Sequence, residues 1–160
     1  MIVIGVDPGT IRTGWGVLRR DGGRVLRLAS GTIRLDDGAE VEERLLPLER
    51  ALDEVLTAHG PEEAAVESLF FSKNAMSALK LGHARGVILL TLRRRGIPVA
   101  SYAPALVKRS IVGGGRAAKG QVQRVVQAIL KLPEPPQEDE ADALAIALCH
   151  LNAPRRAARG

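Results

Sequence analysis

The run Ile2-Val3-Ile4-Gly5-Val6 is continuously apolar, rich in β-branched residues, and stops at an acid, Asp7. A short run without polar alternation reads as a strand buried on both faces, which requires a sheet with packing partners on each side. Pro8-Gly9 then turns the chain. Gly14 to Leu18 reads as a second strand, and Asp21-Gly22-Gly23 is a hairpin signal into a third, about Val25 to Leu35. The fold therefore opens with three antiparallel strands.

After Asp36-Asp37-Gly38 the pattern changes period. Val41, Leu45, Leu48, Leu52, Val55 and Leu56 recur at helical spacing until Gly60-Pro61. Pro47 conflicts with this, because proline removes a backbone hydrogen bond; a bend, or a helix start near this residue, is expected. Ala64-Ala65-Val66-Glu67 is a second short apolar strand ending in an acid. Asn74 has the chemistry of an N-cap for a long helix through Arg95, closed by Gly96. Val99 to Tyr102 reads as another strand and Ala105 to Ile111 as a short helix. Gly113-Gly114-Gly115 predicts a mobile loop carrying Arg116 and Lys119. Val122, Val125, Val126 and Ile129 mark an amphipathic helix, and a last helix begins near Gln137 with acids in its first turn, where the helix dipole favours them. With no internal repeat or linker, residues 1–153 are expected to form one domain, followed by a disordered basic tail, 154–160.

Apolar residues are 46% of the chain, yet its only aromatics are Trp15, Phe70, Phe71 and Tyr102, so the core must be aliphatic. Trp15, between two glycines, reads as structural. A single cysteine, Cys149, excludes an internal disulfide, and its apolar neighbours mark it as an inert core thiol in a reducing compartment. The start lacks the basic n-region of a signal peptide and no apolar run approaches the ~20 residues of a membrane span. A cytoplasmic protein without membrane contact is expected.

From Ser68 to Pro133 there are 66 residues with twelve Lys or Arg and no acid, in a chain of net charge +5. A basic face of this kind attracts polyanions through phosphate contacts and counterion release. The isolated run Arg93-Arg94-Arg95 reads as ordinary solvated surface. Acids crowd just outside the stretch, at Glu67 and at Glu134, Glu138, Asp139, Glu140 and Asp142. Carboxylates beside a phosphate-binding face repel the ligand unless a divalent cation sits between them.

Asp7 and Glu67, at two strand ends, can project side by side at a sheet edge. Asp139 and Asp142 are three apart on one helix face and can share an ion, but Glu138, four from Asp142, competes with Asp139, and spacing alone does not separate the two. Hard oxygen donors suit Mg2+ or Mn2+, and the poor supply of Cys and His argues against zinc; His83 and His150 read as packing or surface residues. Two such ions, roughly 3.5–4 Å apart, can bracket a scissile phosphate.

Four segments carry a resemblance: IGVDPGTIRTGWGV, AVESLFFSKNAMSALKLGHARG, YAPALVKRSIVGGGRAAKGQVQ and DEADALAIA. Together they are similar to the RuvC family of Holliday junction resolvases, bacterial endonucleases of the RNase H-like superfamily. A lone DPGT turn also occurs in actin-like and sugar-kinase ATPases, but those need a second such domain, which 160 residues do not supply. The resemblance implies an RNase H-like mixed five-stranded sheet, its first three strands antiparallel, flanked by helices. It places metal-binding and catalytic acids at Asp7, Glu67, Asp139 and Asp142, thereby choosing Asp139 over Glu138, with Mg2+ or Mn2+ as cofactor, two ions per site.

It further implies a homodimer that nicks a four-way DNA junction symmetrically, leaving 5′-phosphate and 3′-hydroxyl ends, in association with the nucleoid and with the branch-migration proteins RuvA and RuvB. Lys108 and Lys119 match family lysines near the scissile strand, Lys73 and Arg116 could add phosphate contacts, and Phe70 matches an aromatic that could stack on an unpaired base. Ala78, Leu79, Gly82, Gly86 and Leu89 recur at helical spacing on the long helix, whose small residues would let a second copy approach; the alternative is that this face is buried against the chain's own sheet. The competing readings are a related nuclease acting on another branched or RNA-containing substrate, and a DNA-binding module with vestigial acids.

Overall fold

β1 (Ile2–Asp7) is the middle strand of a sheet ordered β3-β2-β1-β4-β5, in a computed structural model that describes residues 1–69, 74–113, 118 and 120–154. It pairs antiparallel with β2 (Arg12–Asp21), itself antiparallel to β3 (Arg24–Arg34). On its other edge it runs parallel to β4 (Glu63–Glu67), which runs parallel to β5 (Val99–Tyr102). The mixed five-stranded sheet expected from the sequence is therefore present.

Side-chain alternation along β1 divides the core in two. Val3, with Ala65 of β4, packs against Leu144, Ala145 and Leu148 of α5 (Glu138–Asn152). Ile4 and Val6, with Ala64 and Val66, face Leu48 and Leu52 of α1 (Val41–His59) and Ala84, Ile88 and Leu92 of α2 (Ala75–Arg94). Each Val, Leu or Ile side chain taken fully out of water contributes about 1.5–3 kcal/mol, and each Ala less, which is why an uninterrupted apolar run forms the central strand. α3 (Pro104–Val112) and α4 (Gln121–Leu130) complete the α5 layer through Val107, Val126 and Leu130.

α5 lies unusually close to the sheet. A Cβ built on Gly5 would collide with the carbonyl oxygen of Ala143 and lie 2.7 Å from the Ala147 nitrogen, so only glycine permits this seating. The helix is buried almost all round, with Ala141, Ala143, Ala145 and Ala147 supplying the small side chains that close approach needs.

α1 runs through Pro47 without interruption, so the helix start expected near that residue does not occur. It begins instead at Val41, where the Glu40 amide donates to Glu43 Oε2 at 3.1 Å, and it ends on Gly60 at φ 55°. Pro47 is exposed, so its ring meets solvent and not the core. α2 starts as expected, with Asn74 Oδ1 accepting from the amides of Met76 and Ser77 at 3.0 and 3.2 Å. β2 extends beyond Leu18 through Arg19 and Arg20 to Asp21, because cross-strand pairing with β3 carries polar residues that a hydrophobic reading omits.

The basic stretch is less free than its sequence suggests. Arg94 donates to Glu49 Oε1 at 3.1 Å and Arg95 to Asp53 at 2.5 and 2.7 Å, tying α2 to α1, and Arg93 donates to the Ile97 carbonyl. His150 is a packing residue: Nδ1 lies 2.8 Å from the Tyr102 hydroxyl and Nε2 2.7 Å from Glu63 Oε2, joining α5 to β5 and β4. Cys149 is buried, as expected. Among the described residues no helix is long and apolar enough to cross a membrane.

Candidate active site

Asp7 and Glu67 are the last residues of two neighbouring parallel strands whose final ladder pair is Val6 with Val66. Both carboxyl groups thus leave the sheet side by side and share a hydrogen bond. The turn after Asp7 is locked by Thr13, which is fully buried. Its hydroxyl accepts from the Gly9 amide at 3.3 Å and donates to the Gly9 carbonyl at 3.2 Å. Arg44 of α1 braces the same turn by donating to the Thr10 carbonyl at 3.3 Å and, through its other terminal nitrogen, to the Asp37 and Ala39 carbonyls.

The first turn of α5 brings the other acids. Gly14, paired across β2 with Asp7, has no room for a side chain because the Asp139 main chain stands there. Asp142, one turn on, lines a cleft of about 220 Å³ together with Asp7, Glu67 and Lys108, walled by Pro104, Val107, Ile111, Val122 and Ala145. Glu138 is exposed and borders an adjoining cleft with Lys108, Gln123 and Asp142. Asp139, half-buried, acts electrostatically on both Asp7 and Asp142, whereas Glu138 acts on Asp142.

The electrostatics are those of carboxylates forced together. Burial, then repulsion from Glu67 and Asp142, pushes Asp7 from 3.8 up to about 8. Burial and repulsion from Glu67 and Glu138 push Asp142 up to about 6, with Lys108 opposing. Burial also raises Glu67, against its hydrogen bond from Asp7 and the Lys108 charge. A cation at the mouth would relieve this repulsion, and the donors are hard oxygens of the kind Mg2+ and Mn2+ accept. Among the described residues no three acidic, imidazole or thiol side chains converge on one ion-sized point.

Four sequence-predicted contacts, Phe70, Lys73, Arg116 and Lys119, lie outside the described residues, as do Phe71 and most of the tail, 155–160. Sequence reasoning does not single out Thr13 or Arg44, because nothing in one chain distinguishes a buried hydroxyl or a bracing guanidinium from its neighbours.

Comparison with known proteins shows the family. The family described as "Crossover junction endodeoxyribonuclease RuvC" matches residues 3–150. A protein of that name from Sorangium cellulosum is 53% identical over 96% of this chain and 86% of its own length. Another from Sphingopyxis alaskensis is 48% identical over 98% and 100%. The solved structure titled "T. thermophilus RuvC in complex with Holliday junction substrate" superposes with a TM-score of 0.87 at 37% identity, covering 94% of this chain and 93% of that one. The yeast mitochondrial Holliday junction resolvase, at 13% identity and a TM-score of 0.62, shares the fold. The chain belongs to the RuvC family of crossover junction endodeoxyribonucleases.

Proposed function

We propose that this endonuclease resolves four-way DNA junctions through a cation-loaded site made by Asp7, Glu67, Asp139 and Asp142. The observation that carries the reading is the single cleft in which Asp7, Glu67 and Asp142 meet beside Lys108. Bound there, divalent cations supply Lewis acidity that activates water and stabilises the leaving oxygen of an in-line displacement. Asp7 and Glu67 hold the sheet side of the ion site and Asp142 the helix side, with Asp139 beside them on the first turn. Lys108, exposed at the rim, offers a positive charge to the scissile phosphate. Mg2+ is the cofactor proposed, with Mn2+ able to replace it. Lys119, Arg116 and Lys73 extend the phosphate contacts along the acid-free stretch, and Phe70 stacks on an unpaired base.

One copy supplies one such cleft, and two incisions separate a junction into duplexes, so the working form is a C2 dimer. An apolar groove on α2, about 530 Å³, supports the location expected from its small residues: Ala78, Leu79, Gly82, Gly86 and Leu90 line it, with Leu79 and Leu90 each more than half exposed. Leu89 packs toward the α1–α2 core instead, which corrects one member of the expected set. Partnership with RuvA and RuvB follows from family membership and belongs to the same proposal. The test is cleavage of synthetic four-way junctions against linear duplex, with and without Mg2+. Paired, Mg2+-dependent nicks confined to the junction are expected; equal cutting of linear duplex would overturn the reading.

A further inference from the structure

Arg85 lies on α2, outside the cleft, yet its guanidinium reaches the strand end that carries Glu67. Nε donates to the Glu67 main-chain carbonyl at 3.0 Å, and a terminal nitrogen donates to Ser101 Oγ of β5 at 2.8 Å. The contact falls where β4 loses one of its two neighbours: the last β1–β4 pair is Val6 with Val66, so Glu67 lies one residue beyond that ladder and is paired only with Tyr102 of β5. On the β5 side the Ser68 amide still donates to the Tyr102 carbonyl at 2.8 Å, leaving the segment anchored along one edge.

We infer that Arg85 is a positioning residue for Glu67, fixing the peptide from which its carboxylate swings into the cation site. The inference rests on the reading of Glu67 as a cation ligand. The charge of Arg85 is not the means, because the partner is a carbonyl and the cation that opposes the upward shift of the Glu67 carboxyl is Lys108. A planar fork with donors on separate nitrogens reaches two acceptors on two strands at once, whereas the three donors of lysine all leave one nitrogen. Groups that orient a metal ligand without touching the metal commonly change metal affinity by about 10–100-fold when removed.

The experiment uses the full chain and two readouts, Mn2+ binding followed by the loss of the free-ion paramagnetic signal, and cleavage under saturating junction. Arg85→Ala should weaken Mn2+ binding by about tenfold or more and slow cleavage, with cation-free junction affinity unchanged. Arg85→Lys should recover part of the binding, and Ser101→Ala should give a smaller loss in the same direction; if Arg85→Ala does not fold, these two variants carry the test. Unchanged Mn2+ binding in all three, or a loss of junction affinity that matches the loss of cleavage, overturns the proposal, the second outcome making Arg85 a phosphate contact. Glu67→Gln is the control. If it binds Mn2+ and cleaves as the parent does, the ligand reading itself has failed; if it is inactive while the Arg85 variants behave as the parent, only the positioning role has.

Discussion

The main chain of Asp139 stands where a side chain on Gly14 would begin. Gly14 is paired across the sheet with Asp7, so one missing Cβ sets the distance between the strand acids and the helix acids. Gly14→Ala must displace the first turn of α5 or the β2 backbone, and overpacking of this kind costs typically about 1–3 kcal/mol. The expected result is a lower melting temperature together with a cleavage loss of at least about tenfold, since small misplacements of a catalytic group are costly. Wild-type cleavage in a destabilised Gly14→Ala protein would mean the seating of α5 does not set the site.

Asp139 and Glu138 can be separated by substitution. Glu138 is exposed and Asp139 is half-buried, with its charge acting on both Asp7 and Asp142. Asp139→Asn should abolish Mg2+-dependent nicking while junction binding persists, and Glu138→Gln should cut within a few-fold of the parent, roughly the range of a peripheral charge. Single-turnover rates on saturating junction decide it, and the reverse ranking would shift the ligand assignment by one residue.

Crowded carboxyls give the ion-free protein a defined pH response. An unfolded chain releases the Asp7 and Asp142 protons near 3.8, but the folded site holds them up to about 8 and about 6. The folded state therefore binds more protons across that window. Its advantage is complete below about pH 4 and is lost as pH rises through about 6 for Asp142 and about 8 for Asp7, by at most about 1.4 kcal/mol per unit for Asp7 and by less for the part-exposed, solvent-screened Asp142. Melting temperature in chelator should fall as pH rises from about 5 to 8. Asp7→Asn should flatten that fall, and millimolar Mg2+ should reverse it in the parent but not in the variant. A parent profile that rises over this interval would contradict the burial and repulsion described above.

Junction affinity should drop steeply with salt, with a slope near −0.9 in log–log form for each phosphate neutralised on duplex arms. Lys108 should behave differently from a plain phosphate contact, because it opposes the upward shifts of Glu67 and Asp142. Lys108→Gln should slow cleavage more than it weakens binding, and should move the acidic limb of the rate profile to higher pH. Equal losses in rate and affinity, with no pH displacement, would reduce it to a surface charge.

What could be read from the chain and what could not divide by range. The buried run Ile2–Val6, the acids at two strand ends, and the caps at Asn74 and Gly60 are local patterns, and each is found as read. At Pro47 the expected helix start does not occur: the helix runs from Val41 through it to His59, the flanking turns outweighing the one backbone hydrogen bond that proline cannot make. The seating of α5 against Gly5 and Gly14 joins residues more than a hundred positions apart, and no local pattern announces it. The pairing of Arg94 and Arg95 with Glu49 and Asp53 likewise removes part of a charge excess that appears free in the sequence.

Two incisions by single-cleft subunits make a prediction about mixtures. The α2 groove leaves Leu79 and Leu90 exposed, and among the described residues a Cβ built on Gly82 would touch only the tip of Leu69 and one on Gly86 nothing within 4 Å, so this face has room for another helix. Leu79→Glu or Leu90→Glu should shift the protein toward monomer in sedimentation and abolish paired nicking. Heterodimers of parent and Asp7→Asn subunits should nick one strand and leave its counterpart intact for the lifetime of the complex, because the inactive copy still supplies the surface and half of the DNA contacts. Two strands cut by such heterodimers, or a chain that stays monomeric on junction DNA while resolving it, would rule out paired sites in a dimer.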